Sequence, residues 1–212
     1  MTAPLPRPVL VLPDRKFAAY IFDCDGTLVD SMPLHLHAWR AALGMHGFPP
    51  EKFTNEMHHG YAGMPGAAIV RKLNDAFGYS LPPEQVEIDK VKWYLDHHTN
   101  VRGIEPVVEI ARAAYRKLPM AVASGSDAHI VHDSLKAIGI HDLFDTIITP
   151  ADVARGKPFP DMFLLAAKRM NVEPQDCLVF EDGLLGIEAA KAAGMEHVFV
   201  PTELSVPIDC PP

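Results

Sequence analysis

Phe17-Ala18-Ala19-Tyr20-Ile21-Phe22-Asp23-Cys24-Asp25-Gly26-Thr27 decides how this chain is organised. Phe17 to Ile21 is a short apolar run, the pattern of a strand buried on both faces of a parallel sheet. Asp23 and Asp25 follow on either side of Cys24, and Gly26 lets the chain turn where the strand stops. Ligands bind at that end of a parallel strand. Strand side chains alternate, so the two carboxylates share a face if the strand runs on; if it bends at Gly26, both can face one site. Carboxylates this close repel unless a proton or cation lies between them. A hard cation such as Mg²⁺ takes oxygen ligands and accompanies phosphate. A carboxylate can also attack an electrophile and form a covalent intermediate.

The rest of the chain reads in two styles. Ser31 is expected to N-cap a helix over residues 32–46, with Pro33 in its first turn. A Gly-rich stretch from Gly60 to Gly66 precedes helical patterns at about 67–77 and 83–98. No strand-like run interrupts residues 31–100, so that block is predicted to be an all-helical insert. After Gly103, apolar runs alternate with amphipathic segments. Strands are predicted at Met120–Ala123, Thr146–Ile148, Cys177–Phe180 and His197–Val200. Helices are predicted at about 106–116, 128–138, 161–170 and 185–193. Alternation of this kind specifies an α/β fold, a Rossmann-like parallel sheet with helices on both faces through right-handed crossovers. The expected organisation is a lead-in (1–16), a core (17–30 and 101–200), the insert (31–100) and a Pro-rich tail (201–212).

The chain has 212 residues, 48% hydrophobic and 22% charged, with formal net charge −8. That balance suits a globular domain and disfavours a nucleic-acid or anionic-membrane partner. Cys24, Cys177 and Cys210 form no spaced framework, which points to a reducing compartment. With no secretory leader and no membrane-length apolar run in view, the cytoplasm is the expected location.

Three strand ends carry polar residues suited to one task. The first presents Asp23 and Asp25, the second Ser124-Gly125-Ser126, and the fourth Glu181-Asp182. Lys157 occupies the loop after the third. Singly, each has an ordinary structural reading: an N-cap, a solvated loop, acids at a helix N-terminus. Together they supply a nucleophile, carboxylates for a cation, and hydroxyl, amide and ammonium donors for phosphate oxygens. Phosphoryl transfer needs that set, because its catalysis is mostly positioning and charge neutralisation.

In this order, the four elements resemble those of the haloacid dehalogenase superfamily from Phe17 to about Val200. The insert is similar to the cap of its β-phosphoglucomutase-like subgroup. His35 to Trp39, Pro119 to Ser126 and Phe163 to Gly194 are most similar to sugar phosphatases acting on fructose 1-phosphate. The resemblance implies that Asp23 attacks phosphorus and becomes an aspartyl phosphate. It implies that Asp25 protonates the leaving oxygen and then activates water. Mg²⁺ would be held by Asp23, the carbonyl of Asp25 and Asp182, with Glu181 close by. Ser124 and Lys157 would hold the transferring phosphate, assisted by Gly125 and Ser126. His35 would touch substrate or orient Asp25, Lys90 is a further cap cation, and Trp39 is expected in the cap core.

The departures concern the far end of the substrate. Mutases of this subgroup hold a second phosphate with a cap Arg, where this chain has Gly66, and with a Lys, where it has Asp127. The expected activity is therefore an Mg²⁺-dependent phosphatase of small phosphorylated sugars, working as a monomer or weak dimer. A β-phosphoglucomutase and a non-catalytic sugar-phosphate sensor are the alternatives. His58-His59 and His97-His98 are expected at the surface or the cap interface.

Overall fold

A computed structural model describes residues 10–62, 64–98 and 101–201. Five strands, β1 (Ala19–Phe22), β2 (Met120–Ala123), β3 (Thr146–Ile148), β4 (Cys177–Glu181) and β5 (Glu196–Phe199), form one sheet in the order β3-β2-β1-β4-β5. Every pairing is parallel. Phe22 stands opposite both Val122 and Phe180. That register brings Asp23, Ser124 and Glu181 to the same edge of the sheet. Asp23 N–H still donates to the Phe180 carbonyl (2.9 Å), and Ser124 N–H to that of Ile148 (3.0 Å).

The apolar strands alternate between two cores, as a pleat requires. Phe22, Val122 and Phe180 face one layer with Val107, Val108 and Ala111 of α5 (Glu105–Ala114) and Ile130, Val131 and Leu135 of α6 (Ala128–Ala137). Phe22 and Phe180 stack there at 4.6 Å. Ile21, Ala121 and Val179 face the other layer with Met162, Phe163 and Ala166 of α7 (Asp161–Met170) and Ala189 and Ala190 of α8 (Leu184–Ala192). Helices on both faces bury both sides of the sheet, each large side chain contributing about 2 kcal/mol.

Between β1 and α5 lie α1 (Met32–Met45), α2 (Asn55–Gly60), α3 (Gly66–Phe77) and α4 (Pro83–His97). Trp39, Leu43, Phe48, Phe53, Val70, Leu73 and Val86 form a third core inside this block, which has no strand among its described residues. Leu34, Ala38 and Tyr94 pack instead into the first sheet core, so α1 and α4 serve both units. Where the chain enters and leaves the block, Asp30 N–H donates to the Arg102 carbonyl (2.8 Å) and Ile104 N–H to that of Leu28 (2.9 Å). The two crossings are thus tied together. Asn100, the lead-in up to residue 9 and the tail from residue 202, with Cys210, lie outside the described residues.

Helix α2 was not expected. Its six residues are too few to set up a period, but Thr54 Oγ1 accepts from Met57 N–H (3.2 Å) and caps it. The first strand also begins and ends later than its apolar run suggests, at Ala19 and Phe22. Ser31 does not cap α1 with its side chain; its hydroxyl has another partner. Cys24 and Cys177 are buried free thiols. No described helix is long and apolar enough to cross a membrane.

Candidate active site

Asp23 directly follows β1, and the chain then turns at Gly26, whose φ is +83°. Glycine is required there twice over. The backbone is left-handed, and a Cβ would come within 2.3 Å of Asp182 Oδ2. The turn thus seats Asp182 against Asp23, and Thr27 Oγ1 donates to Asp182 Oδ1 (3.0 Å) to hold it there.

Lys157 closes this group from the other side. Its Nζ donates to Asp23 Oδ1 and Glu181 Oε2, both at 2.6 Å, with the side chain almost wholly buried. Burial alone would push the ammonium down, but the two carboxylates outweigh it and hold the pKa above the usual lysine value. Asp23, Glu181 and Asp182 each offer an oxygen, all within 4.8 Å of one another. Burial and Glu181 raise Asp23 well above the usual carboxylate range despite Lys157. Burial and Glu181 push Asp182 up to about 8. Three carboxylates, Asp23 and Glu181 buried and Asp182 half-buried, face one ammonium and are short of positive charge, and their donors are all hard oxygens. The set therefore fits a divalent hard cation. The Asp25 side chain is not part of it.

Asp25 has partners of its own and accepts three hydrogen bonds. Ser31 Oγ donates to Oδ1 (2.6 Å) and Ser126 Oγ to Oδ2 (2.7 Å), while His35 Nε2 lies 3.0 Å from Oδ1. Burial raises this carboxyl, but His35 at its side and the hydrogen bonds from His35 and the two serines hold it well below the usual range. His35 belongs to α1, and its ring stacks on Tyr94 at 4.1 Å. Lys90 Nζ of α4 lies 3.0 Å from His35 Nδ1. A protonated Lys90 donates to Nδ1, which leaves the ring proton on Nε2, directed at Asp25. Burial and Lys90 both lower the His35 pKa, in keeping with a neutral ring. Burial likewise pushes Lys90 down to about 8, against the pull of Asp25, Glu87 and Asp127.

These groups line one cavity of about 260 Å³ between the sheet edge and the helical block. The predicted residues Asp23, Asp25, His35, Lys90, Ser124, Gly125, Ser126, Lys157, Glu181 and Asp182 all border it. Ser126, and Ser31 beside them, do something other than expected. The Ser126 hydroxyl serves Asp25, and its N–H donates to Ser124 Oγ (3.0 Å). Ser31, expected as a helix cap, is a partner of Asp25. His58, expected at the surface or the cap interface, is buried and borders the cavity, and burial pushes it down to about 2, so its ring is neutral. Trp39 is in the block's core as expected and also faces the cavity.

Residues 17–194 match the family model of the haloacid dehalogenase-like hydrolases. The chain belongs to that family. The hydrolase is 34% identical to the fructose-1-phosphate phosphatase YqaB of Escherichia coli (strain K12) over 186 residues, covering 88% of this chain and 97% of that one. It is 29% identical to a phosphorylated carbohydrates phosphatase of Thermotoga maritima over 185 residues, 85% and 83% of the two chains. A crystal structure of a hydrolase from Pseudomonas syringae superposes with a TM-score of 0.75 at 27% identity, covering 85% of the hydrolase and 83% of that chain.

Proposed function

We propose that this hydrolase is an Mg²⁺-dependent phosphatase of small sugar monophosphates, fructose 1-phosphate among them, acting through an aspartyl phosphate. The observation that carries the reading is the division of labour between two carboxylates. Asp23 is buried among Lys157, Glu181 and Asp182, whereas Asp25, two residues on, is held by Ser31, Ser126 and His35. Two acids in environments this different can do two different jobs. The names of the two curated relatives support the substrate class.

In this reading residues 17–30 and 101–200 act as the catalytic core and residues 31–100 as a cap. Asp23, Asp182 and the Asp25 carbonyl would hold Mg²⁺, with Glu181 close by. When bound, the ion neutralises phosphate oxygens and the carboxylates around it. Lys157, the Ser124 hydroxyl and the Gly125 amide receive the remaining phosphate oxygens. Asp23 attacks phosphorus, and the bond to the sugar oxygen breaks. That oxygen takes its proton from Asp25, which the negative charge of the arriving phosphate makes more basic and so able to carry one. Asp25, now a carboxylate, takes a proton from water as the water oxygen attacks the aspartyl phosphate. Phosphate leaves and Asp23 is restored. His35, fixed by Lys90, directs its Nε2–H at Asp25 throughout. Buried free thiols suit a reducing cytoplasm.

The test is phosphate release from a panel of ketose and aldose monophosphates, with β-glucose 1-phosphate plus a trace of its bisphosphate as the contrasting substrate. Phosphate release from a ketose monophosphate supports the reading. Glucose 6-phosphate forming much faster than free phosphate would establish a mutase instead, and binding without turnover a sensor.

A further inference from the structure

The end of the cavity away from Asp23 holds a carboxylate that sequence reasoning passed over. Glu87 lies on α4, three residues before Lys90, and borders the cavity with Gly66 and Asp127. Its two oxygens accept from the first two amides of α3, Gly66 N–H at 2.9 Å and Ala67 N–H at 3.2 Å. Those amides are the positive end of a twelve-residue helix, a place that attracts anions. Here the protein's own anion occupies it. The seat also explains the glycine: a Cβ on Gly66 would stand 2.5 Å from Glu87 Oε1. Gly66 and Glu87 are therefore one device, in which a side chain at 66 and a carboxylate on the amides exclude each other.

The charge balance of the cavity leads to the consequence. Its described lining carries six carboxylates (Asp23, Asp25, Glu87, Asp127, Glu181 and Asp182) against Lys90 and Lys157, with no arginine. Lys157 already serves Asp23 and Glu181. A second phosphate on the substrate would find Lys90, bonded to His35, and beside it Glu87 and Asp127. It would have to displace Glu87 from its amides or lie against it in a confined space where like charges repel strongly. Sugar hydroxyls face no such conflict, since they donate to carboxylates.

We propose that Glu87, seated on the Gly66 and Ala67 amides, is a specificity-determining residue that reserves this end of the cavity for uncharged hydroxyls and rejects a second phosphate. The inference rests on the sugar-phosphatase reading. Glu87→Gln removes the charge at nearly constant shape; Glu87→Ala also frees both amides. For wild type and both variants, kcat/KM is measured for fructose 1-phosphate and fructose 1,6-bisphosphate. Inhibition of p-nitrophenyl phosphate hydrolysis by each sugar phosphate is measured alongside, which requires no turnover of the sugar. The bisphosphate-to-monophosphate ratio is expected to rise about tenfold in Glu87→Gln and further in Glu87→Ala, in both measurements. Ratios within about twofold of wild type in both variants overturn the proposal; should Glu87→Ala fail to fold, Glu87→Gln decides alone. A wild type that cleaves p-nitrophenyl phosphate but neither sugar phosphate refutes the sugar-phosphatase reading, and the inhibition ratios still decide the role of Glu87.

Discussion

Lys90→Met separates what this lysine does for the reaction from what it costs the fold. The ammonium is partly buried between α1 and α4, bonded to His35 Nδ1 and lying 5.7 Å from the Trp39 ring and 5.6 Å from that of Tyr94. Its pKa falls from the ordinary 10.5 to about 8 because burial disfavours the charged form. A displacement of that size corresponds to about 3 kcal/mol against the protonated lysine in the fold. The residual solvent contact of the side chain reduces this to about 2 kcal/mol. Below pH 8 the lysine is charged in both folded and unfolded chains, so the cost is fully present. Between pH 8 and 10.5 the unfolded chain binds the proton and the folded one does not, so stability rises with pH. Methionine fills a similar volume and carries no proton. Urea unfolding of both proteins at intervals from pH 7 to 10 should therefore show wild type gaining about 2 kcal/mol relative to the variant as pH rises. Groups titrating identically in both proteins cancel, and the pH-independent loss of the bond to His35 shifts the whole difference without changing its slope. Phosphatase activity of the variant should fall at least about tenfold, because His35 loses the donor that fixes its tautomer. A stability difference that stays constant with pH would refute the reasoning, since it would mean the lysine is not depressed in the fold.

Asp23→Asn should leave the fold intact by circular dichroism and reduce turnover at least about a thousandfold, since an amide cannot serve as the nucleophile; a tenth of wild-type activity would exclude Asp23 from that role. Excess chelator should abolish phosphate release and added Mg²⁺ restore it, so full activity without divalent ions would contradict a metal at Asp23, Glu181 and Asp182. Gly26→Ala forces a left-handed backbone onto alanine and drives its Cβ into Asp182. It should destabilise by about 2 kcal/mol, roughly 4–8 °C in Tm, and disturb Mg²⁺ dependence at the same time; a normal melting curve would mean the turn relaxes freely. Amide exchange near residues 28–31 and 101–104 should slow when a metal fluoride analogue of phosphate is bound, because closure of the cap tightens the paired crossings; identical exchange would count against cap motion.

The sheet and its polar strand ends were legible because they depend on local pattern. An apolar run of four or five residues followed by an acid or a serine means the same thing wherever it occurs, and β2, β3 and β4 lie where their runs predict. The partners of Asp25 were legible only in part. Ser31 looks like a helix cap because a serine before a Pro-containing first turn ordinarily is one. Its actual partner depends on the bend at Gly26, which swings Asp25 back over the start of α1. Lys90 and His35 are 55 residues apart, and the face α4 turns toward α1 is set by packing around Tyr94. Glu87 was illegible for the same reason: on α4 it is one polar residue among many until α3 brings two free amides to it.

The two acids also differ in which unit supports them. The described hydrogen-bonding partner of the Asp23 side chain, Lys157, and the acids beside it, Glu181 and Asp182, all come from the sheet edge and its loops. Asp25 draws Ser126 from the end of β2, Ser31 from the crossing, and His35 from α1 of the helical block. Displacing α1 and α4 would therefore leave Lys157, Glu181 and Asp182 in place beside Asp23 and strip Asp25 of His35. Because the hydrogen bond from His35 favours the charged form of that carboxyl, its departure would move Asp25 back toward holding a proton. An arriving phosphate dianion pushes in the same direction. On the proposed mechanism the nucleophile, Asp23, is thus built into the core, while the proton held by Asp25 depends on where the helical block stands, and the two halves of the proposed reaction require that acid in opposite states.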